Sequence, residues 1–248
     1  MDEREIHILD HFRDLRKSLI RSIFGIMVGM IVCFAFADEI LAWLRKPMQS
    51  VFKDNSHFIV LVPHEYFFTE MKAALVAGLF LSSPWVLYQI WLFVAPGLYK
   101  KEKKMAALFV VAAMLCFVAG AYFGYTFVFP PMFQFFIGTL PDDIQGTYSV
   151  GMLFGFATNM LLAFGLVFET PVVVFLLVML NVVELESLTK IRRYVIVAAF
   201  LIAAILTPTP DPLTQTMMAV PMIFLYELGI LVARLVLRRS TAATTSEA

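Results

Sequence analysis

The sequence predicts an all-α integral membrane protein with six transmembrane helices, the last two of them short, and with both termini in the cytoplasm. Hydrophobic residues make up 60% of the 248 positions and charged residues only 15%, whereas soluble domains contain about 25% charged residues. The apolar residues also fall into runs near the length of about 20 residues that a helix needs to cross a bilayer. We therefore expect one polytopic membrane domain over residues 1–236, followed by a small, polar and disordered tail over 237–248.

Four apolar runs are long enough to cross a membrane, at about residues 19–37, 73–95, 106–129 and 150–179. Two shorter runs, at about 194–206 and 216–236, flank the stretch TPTPDPLTQT, whose prolines and aspartate end a helix. Because the first of these two is only about thirteen residues long, the pair could form two spans or a hairpin that enters from one side. Both interpretations place residues 207–216 at or near the far face of the membrane.

Basic residues are unevenly distributed among the segments that join these runs. Only four of the 19 lysines and arginines lie in the external segments, all of them in the first: Arg45, Lys46, Lys53 and Lys72. The others lie before the first run, between the second and third, between the fourth and fifth, and in or after the last. Because cytoplasmic loops carry the excess of lysine and arginine, both termini are predicted to be cytoplasmic.

An amphipathic helix is predicted at the cytoplasmic surface, leading into the first span. One face carries apolar residues at intervals of four, three and four: Ile8, Phe12, Leu15 and Leu19. Another face carries charged residues at the same intervals: Asp10, Asp14, Lys17 and Arg21. These charged side chains could simply pair with one another along the helix, or they could bind a ligand.

Glu169 is an acid within the apolar stretch 160–179, and Thr170 and Pro171 follow it directly. A carboxylate beside a helix break in a membrane indicates a functional site. Alternatively, a neighbouring helix, Thr170 or carbonyls released by Pro171 could satisfy the carboxyl group. A second acid, Glu227, lies near the cytoplasmic end of the last span, where we expect it to pair with Arg234 or to extend to the interface.

Thr207, Asp211 and Gln215 form a polar group near the ends of the two short spans. Such side chains can form hydrogen bonds with another helix in the membrane. Equally, Asp211 could cap the turn that joins the spans.

Three G-x-x-x-G patterns allow close approach between helices, and we expect most of them to mediate internal packing. They are Gly25 with Gly29, Gly120 with Gly124, and Gly151 with Gly155. Cys33 and Cys116 lie in apolar runs without the spacing of a metal or redox motif, so we interpret them as small core residues.

Several classes of function have no support in the sequence. The formal net charge is zero, which argues against nucleic acid as a partner. The motifs H-E-x-x-H, G-x-S-x-G and G-x-x-x-x-G-K-[ST] are missing from the sequence, so it predicts neither an enzyme nor a metal or cofactor site.

Four separate stretches occur in the order found in one known family. They are DHFRDLRKSL, SSPWVLYQIWLFVAPGLYKKEKK, FGLVFETPVVV and RRYVIVAAF…LTPTPDPLTQTMMAVPMIFLYELG. Over about residues 9–234 the chain resembles the TatC family, the large polytopic subunits of twin-arginine protein translocases. The resemblance implies that the chain recognises twin-arginine signal peptides of folded cargo proteins in the bacterial inner membrane. It also implies that export is driven by the proton gradient.

The resemblance further implies that Glu102 receives the paired arginines together with the acid of the amino-terminal helix. Where much of the family reads E-L-R-K, this chain has Asp14, Leu15, Arg16 and Lys17. Aspartate keeps the charge but is one methylene shorter, so the reach of Asp14 is an open point. Arg16, Lys17 and Phe93 are implied to belong to the same signal-peptide site.

Single-span partners of the TatA and TatB type are implied to contact or regulate a second set of residues: Glu169, Thr207, Asp211 and Gln215. Pro47 matches a proline of the family's first external loop and is expected to be structural. The resemblance also suggests self-association, and contact with membrane lipids is expected.

The main rival to this function is an ion-coupled secondary transporter that uses Glu169 as a proton or cation site, although the inverted repeat of such a transporter is not visible in the sequence. An intramembrane hydrolase is a weaker rival, because the sequence shows no plausible pair of nucleophile and base.

Overall fold

The computed structural model describes residues 3–49, 57–94, 103–139, 147–180, 182–206 and 211–246. Its elements in chain order are α1 (Glu3–Phe34), α2 (Ala37–Gln49), β1 (His57–Ile59), α3 (Glu65–Val94), α4 (Lys103–Phe123), a π-helical turn (Gly124–Val128), α5 (Phe129–Gly138), β2 (Thr147–Ser149), α6 (Val150–Phe168), α7 (Thr170–Met179), α8 (Leu185–Lys190), α9 (Arg192–Leu206) and α10 (Pro212–Ser246). The predicted all-α class is therefore confirmed, with one short pair of strands in addition.

Within these ranges, five helices are long and apolar enough to cross a membrane. They are Phe12–Phe34, Glu65–Phe93, Leu108–Gly138, Val150–Met179 and Pro212–Val236. Helix α9 has 15 residues and is thus about 22 Å long. Since the apolar core of a bilayer is about 30 Å thick, α9 is short, as the sequence predicts.

The third long helix continues past Phe129, where the sequence predicts its end, to Gly138. Two prolines, Pro130 and Pro131, follow at the first positions of α5, and prolines there cannot donate to the preceding turn. The π-helical turn accommodates this change, because the Phe129 N–H bonds to the carbonyl oxygen of Gly124, five residues earlier. The chain therefore stays helical through a point at which the prolines suggest a break.

The chain divides into two compact units, one of residues 1–115 with 140–158 and the other of 116–139 with 159–248. The single membrane domain over 1–236 stays a prediction.

Helix α10 continues to Ser246, so helix occupies most of the segment 237–248 for which the sequence predicts a disordered tail. After Gly229 no glycine or proline follows to end the helix.

In the first unit, α1 and α3 lie antiparallel in close contact. A Cβ added to Gly29 would lie 2.6 Å from the carbonyl oxygen of Gly78, so only glycine fits between these backbones. The indole nitrogen of Trp85 donates to the carbonyl oxygen of Arg21 at 3.0 Å. These two contacts fix which residues of the two helices lie at the same level.

The first unit also contains a small cap built from α2, β1 and β2. The two strands pair in parallel, with Phe58 opposite Tyr148. The Glu65 carboxylate accepts hydrogen bonds from the Ser149 hydroxyl and from the Gly151 N–H, the latter at 2.7 Å. Pro47 is buried inside α2, as expected for a structural residue.

In the second unit, α7, α8 and α10 share one apolar cluster. Its buried members are Val174, Val178, Leu188, Tyr226, Ile230 and Ala233. The Tyr226 hydroxyl donates to the carbonyl oxygen of Leu188 at 2.8 Å. Apolar packing and a buried hydrogen bond therefore hold α8 against α10.

Candidate functional site

Asp14 and Lys17 face outward near the start of α1. The Asp14 Oδ1 and Lys17 Nζ atoms are 3.8 Å apart, and the two side chains are 64% and 58% exposed. An exposed pair of this spacing on a helix contributes about 0.3–0.5 kcal/mol. Asp14 and Lys17 therefore form one of the ion pairs along the helix that the sequence allows. This pair is too weak to prevent Asp14 from binding a ligand that pairs with it more strongly. The Asp10 side chain lies outside the described part of the chain.

Phe93 lies at the same end of the helix pair as Asp14. Asp14 precedes Arg21 by seven residues and Phe93 follows Trp85 by eight, while Arg21 and Trp85 are in contact. Because the helices are antiparallel, both residues lie about 10–12 Å beyond that contact, in the same direction. Arg16 is exposed nearby and Phe93 is half-buried. Glu102, the second proposed acid, lies outside the described residues.

Gln89 is a polar residue in α3 that the sequence analysis missed. It lies one helical turn before Phe93 and is only 1% exposed. Its Oε1 atom has no hydrogen-bond donor among the residues that the structure describes. The sequence could have indicated Gln89 as a candidate site residue, because an amide within an apolar run is expected to be buried and a buried polar atom requires a hydrogen-bond partner.

Glu169 lies at the joint between α6 and α7. Pro171 has no N–H to donate to the carbonyl oxygen of Val167, and the Thr170 hydroxyl donates to that oxygen instead, at 2.6 Å. Thr170 therefore satisfies the backbone and not the Glu169 carboxyl group. The Glu169 Oε1 atom is buried and has no donor within the described ranges.

Helix α4 packs against the α6 side of this joint. A Cβ added to Gly120 would lie 2.8 Å from the Phe168 side chain, so the small residue permits close contact. The Cys116 thiol, one turn earlier, lies within electrostatic range of the Glu169 carboxylate. Glu169 is thus half-buried and retains an unused hydrogen-bond acceptor. It can accept either a hydrogen bond or a proton.

Asp211 and Gln215 both stabilise the start of α10. The Asp211 Oδ1 atom accepts a hydrogen bond from the Thr214 N–H at 2.7 Å, which confirms the capping role. The Gln215 Nε2 atom donates to the carbonyl oxygen of Phe200 in α9 at 2.8 Å. Gln215 therefore bonds to another helix, but to one of its own chain. Thr207, the third member of this group, lies outside the described residues.

Glu227 pairs with Arg192 and not with Arg234 as the sequence suggested. The Arg192 Nη2 and Glu227 Oε2 atoms are 2.7 Å apart. The prediction was wrong because it considered only neighbours along α10, whereas packing brings the start of α9 beside Glu227. Both side chains of the pair are partly exposed, Arg192 at 47% and Glu227 at 40%.

The chain is similar in sequence to known proteins. A family model described as "Sec-independent protein translocase protein (TatC)" matches residues 10–221. The chain belongs to the TatC family. A TatC protein from Desulforapulum autotrophicum is 39% identical over 233 residues, covering 94% of this chain and 86% of the relative. The TatC protein of Escherichia coli (strain K12) is 35% identical over 227 residues, covering 92% and 88% respectively.

Solved TatC structures share the fold. A crystal structure of the twin arginine translocase receptor TatC in DDM superposes with a TM-score of 0.82 at 35% identity, covering 90% of this chain and 99% of that chain. This member of the TatC family is therefore a component of a Sec-independent protein translocase. The comparisons support that identification and not the secondary-transporter alternative.

The predicted site residues that the structure describes fall into two groups. Asp14, Arg16, Lys17 and Phe93 lie in the first unit, and Glu169, Asp211 and Gln215 lie in the second. Among the described residues, no group of three or more histidine, cysteine, aspartate or glutamate side chains could hold a metal ion. The chemistry of both groups is that of hydrogen bonding and charge pairing.

Proposed function

We propose that this chain is the signal-peptide receptor of a twin-arginine translocase in the bacterial inner membrane. Asp14 and Glu102 bind the paired arginines, and Phe93 contacts the apolar segment that follows them. The observation that carries this proposal is the antiparallel pairing of α1 and α3, in which Asp14 and Phe93 share one end. The solved relative in DDM is a twin arginine translocase receptor, which supports the same role for this chain.

The proposed orientation places that end on the cytoplasmic side. Six spans with both termini inside agree with the excess of lysine and arginine in the same segments. In this arrangement α9 is the fifth span, and its 15 residues require a local thinning of the membrane or a matching partner. A signal peptide then meets Asp14 before it enters the bilayer.

Arginine specificity follows from the geometry of the side chains. A guanidinium group presents a planar fork that makes two parallel hydrogen bonds with a carboxylate, which an ammonium group cannot do. An incoming arginine must displace Lys17 from Asp14, and the 3.8 Å pair is easily displaced. Since each exposed pair contributes only about 0.2–1 kcal/mol, burial of the apolar segment supplies most of the affinity.

A second surface serves the partners. The Glu169 Oε1 atom, which has no donor among the described residues, can accept a hydrogen bond from a polar group on a single-span helix of the TatA or TatB type. Asp211 supports that contact by capping the start of α10, and Gln215 supports it by holding α10 against α9. We assign Thr207 to the same partner surface. Self-association of the receptor and binding of these partners complete the export complex, and the proton gradient drives translocation.

Crosslinking of a twin-arginine signal peptide in membranes tests the receptor proposal. Glu102→Gln should lower the labelling of this chain, and so should a signal in which two lysines replace the arginines. Glu186→Gln is the matched control, because Glu186 is an exposed acid in α8 of the second unit. Labelling that is unchanged by Glu102→Gln, or lowered equally by Glu186→Gln, would contradict the proposal.

A further inference from the structure

We propose that a cavity beside α10 binds the phosphate group of an anionic phospholipid. The cavity has a volume of about 290 Å³ and is lined by Arg192, Phe224, Glu227, Leu228, Ile230, Leu231 and Arg234. It lies within the second unit, and none of its lining residues belongs to either group of residues assigned above. The inference does not depend on the proposed receptor function.

The charges that line the cavity leave one cation uncompensated. Glu227 is bonded to Arg192 at 2.7 Å, so these two charges largely cancel. Arg234 is exposed and has no ion-pair partner in the part of the chain that the structure describes. Because a guanidinium group matches the geometry of a phosphate, the cavity favours a phosphate anion.

The polarity of the cavity changes along one face of α10. Phe224, Leu231 and Arg234 lie on that face in order, with Phe224 67% and Leu231 50% exposed. From Phe224 to Arg234 the helix advances about 15 Å, which is enough to separate an apolar region from a charged one. A free phosphate would contact only the charged end, whereas a phospholipid matches both ends. Basic cavities between helices at a membrane surface bind anionic head groups in this way.

Buried packing supports the floor of the cavity. Ile230 is only 2% exposed and belongs to the cluster shared by α7, α8 and α10. The Tyr226 hydroxyl fixes the same helices through its bond to Leu188. The backbone that carries Arg234 is therefore held in place before a lipid arrives, so binding requires little reorganisation.

Lipid binding to the purified full-length chain in detergent tests this site. Native mass spectrometry would measure the affinity for phosphatidylglycerol, with zwitterionic phosphatidylcholine as the comparison lipid. Arg234→Gln should lower the affinity for phosphatidylglycerol by about tenfold, the loss of one charged hydrogen bond. Arg234→Lys should restore part of it, and Glu227→Gln should raise the affinity above wild type by freeing Arg192.

Arg193→Gln is the matched control, because the Arg193 side chain lies over the Tyr194 ring at 4.9 Å and does not line the cavity. An equal loss in Arg193→Gln would overturn the proposal by showing only general attraction to charge. No loss in Arg234→Gln, measured on protein with an unchanged melting temperature, would also overturn it. If excess inorganic phosphate displaced phosphatidylglycerol completely, the cavity would be a site for free anions and the lipid assignment would be wrong.

Discussion

The Thr170 hydroxyl donates a hydrogen bond to the carbonyl oxygen of Val167, the oxygen that Pro171 leaves without its helical partner. The Thr170 hydroxyl therefore replaces the backbone hydrogen bond that Pro171 cannot make. The Glu169 carboxyl group does not take part in this bond, and its buried Oε1 atom has no donor among the described residues. The joint between α6 and α7 is thus stable through Thr170, and Glu169 is available for function.

Replacing Thr170 with valine should destabilise the protein. Valine has nearly the same shape but no hydroxyl, so the Val167 carbonyl oxygen loses its donor inside the membrane. Hydrogen bonds of this kind contribute about 0.6–2 kcal/mol, and unfolding in detergent would measure the loss. Thr170→Ser keeps the hydroxyl and should remain close to wild type. If Thr170→Val were as stable as wild type, the hydroxyl would not stabilise the joint and this explanation would be wrong.

Replacing Glu169 with leucine should separate stability from partner binding. Because the buried Glu169 Oε1 atom has no donor among the described residues, an apolar residue of similar size should leave the unfolding free energy unchanged or raise it. Crosslinking to the proposed TatA-like and TatB-like partners should fall, while Glu169→Gln should preserve most of it. A leucine variant that was unstable but still bound its partners would make Glu169 a structural residue.

Local sequence features predicted several parts of the structure. The long helices could be predicted from the apolar runs, because a helix that crosses a membrane requires about 20 consecutive apolar residues. The order Asp211, Pro212 and then Thr214 is a helix-start pattern, and the structure contains that cap. The acid at a proline break also indicated where a buried carboxyl group would lie.

Features that depend on distant contacts could not be predicted in this way. The pairing of Arg192 with Glu227 requires knowledge of how α9 packs on α10. The strands β1 and β2 have three residues each, and nothing local indicates that they pair. The third span was predicted too short because Pro130 and Pro131 resemble an end, whereas a π-helical turn absorbs them.

The contact between Gly29 and Gly78 should be sensitive to a single methyl group. Gly29→Ala places a Cβ 2.6 Å from the Gly78 carbonyl oxygen, and overpacking of this kind costs about 1–3 kcal/mol. Signal-peptide crosslinking should fall as well, because the α1–α3 pair positions Asp14. Gly155→Ala is the control, since a Cβ there meets no atom within 4 Å and alanine favours helix by up to about 1 kcal/mol. Equal stability of the two variants would contradict the close packing.

Replacing Gln215 with leucine should weaken crosslinking to the proposed partners while signal-peptide crosslinking survives. The leucine variant loses the bond to the Phe200 carbonyl oxygen that holds α10 against α9. Thr216→Val is the control, because the Thr216 hydroxyl bonds within α10, to the carbonyl oxygen of Pro212. Loss of signal and partner crosslinking together would refute the division into two groups of site residues.

The measurement that tests the receptor proposal most directly is a double-mutant cycle between the two acids and the signal arginines. Signal-peptide affinity would be measured in membranes for wild type, Asp14→Asn and Glu102→Gln, each with an arginine-pair and a lysine-pair signal. Each substitution should weaken binding of the arginine signal by about 1.4- to 5-fold, the range for an exposed ion pair. The effect on binding of the lysine signal should be clearly smaller. Equal effects on both signals would show that the acids do not recognise arginine and would contradict the account.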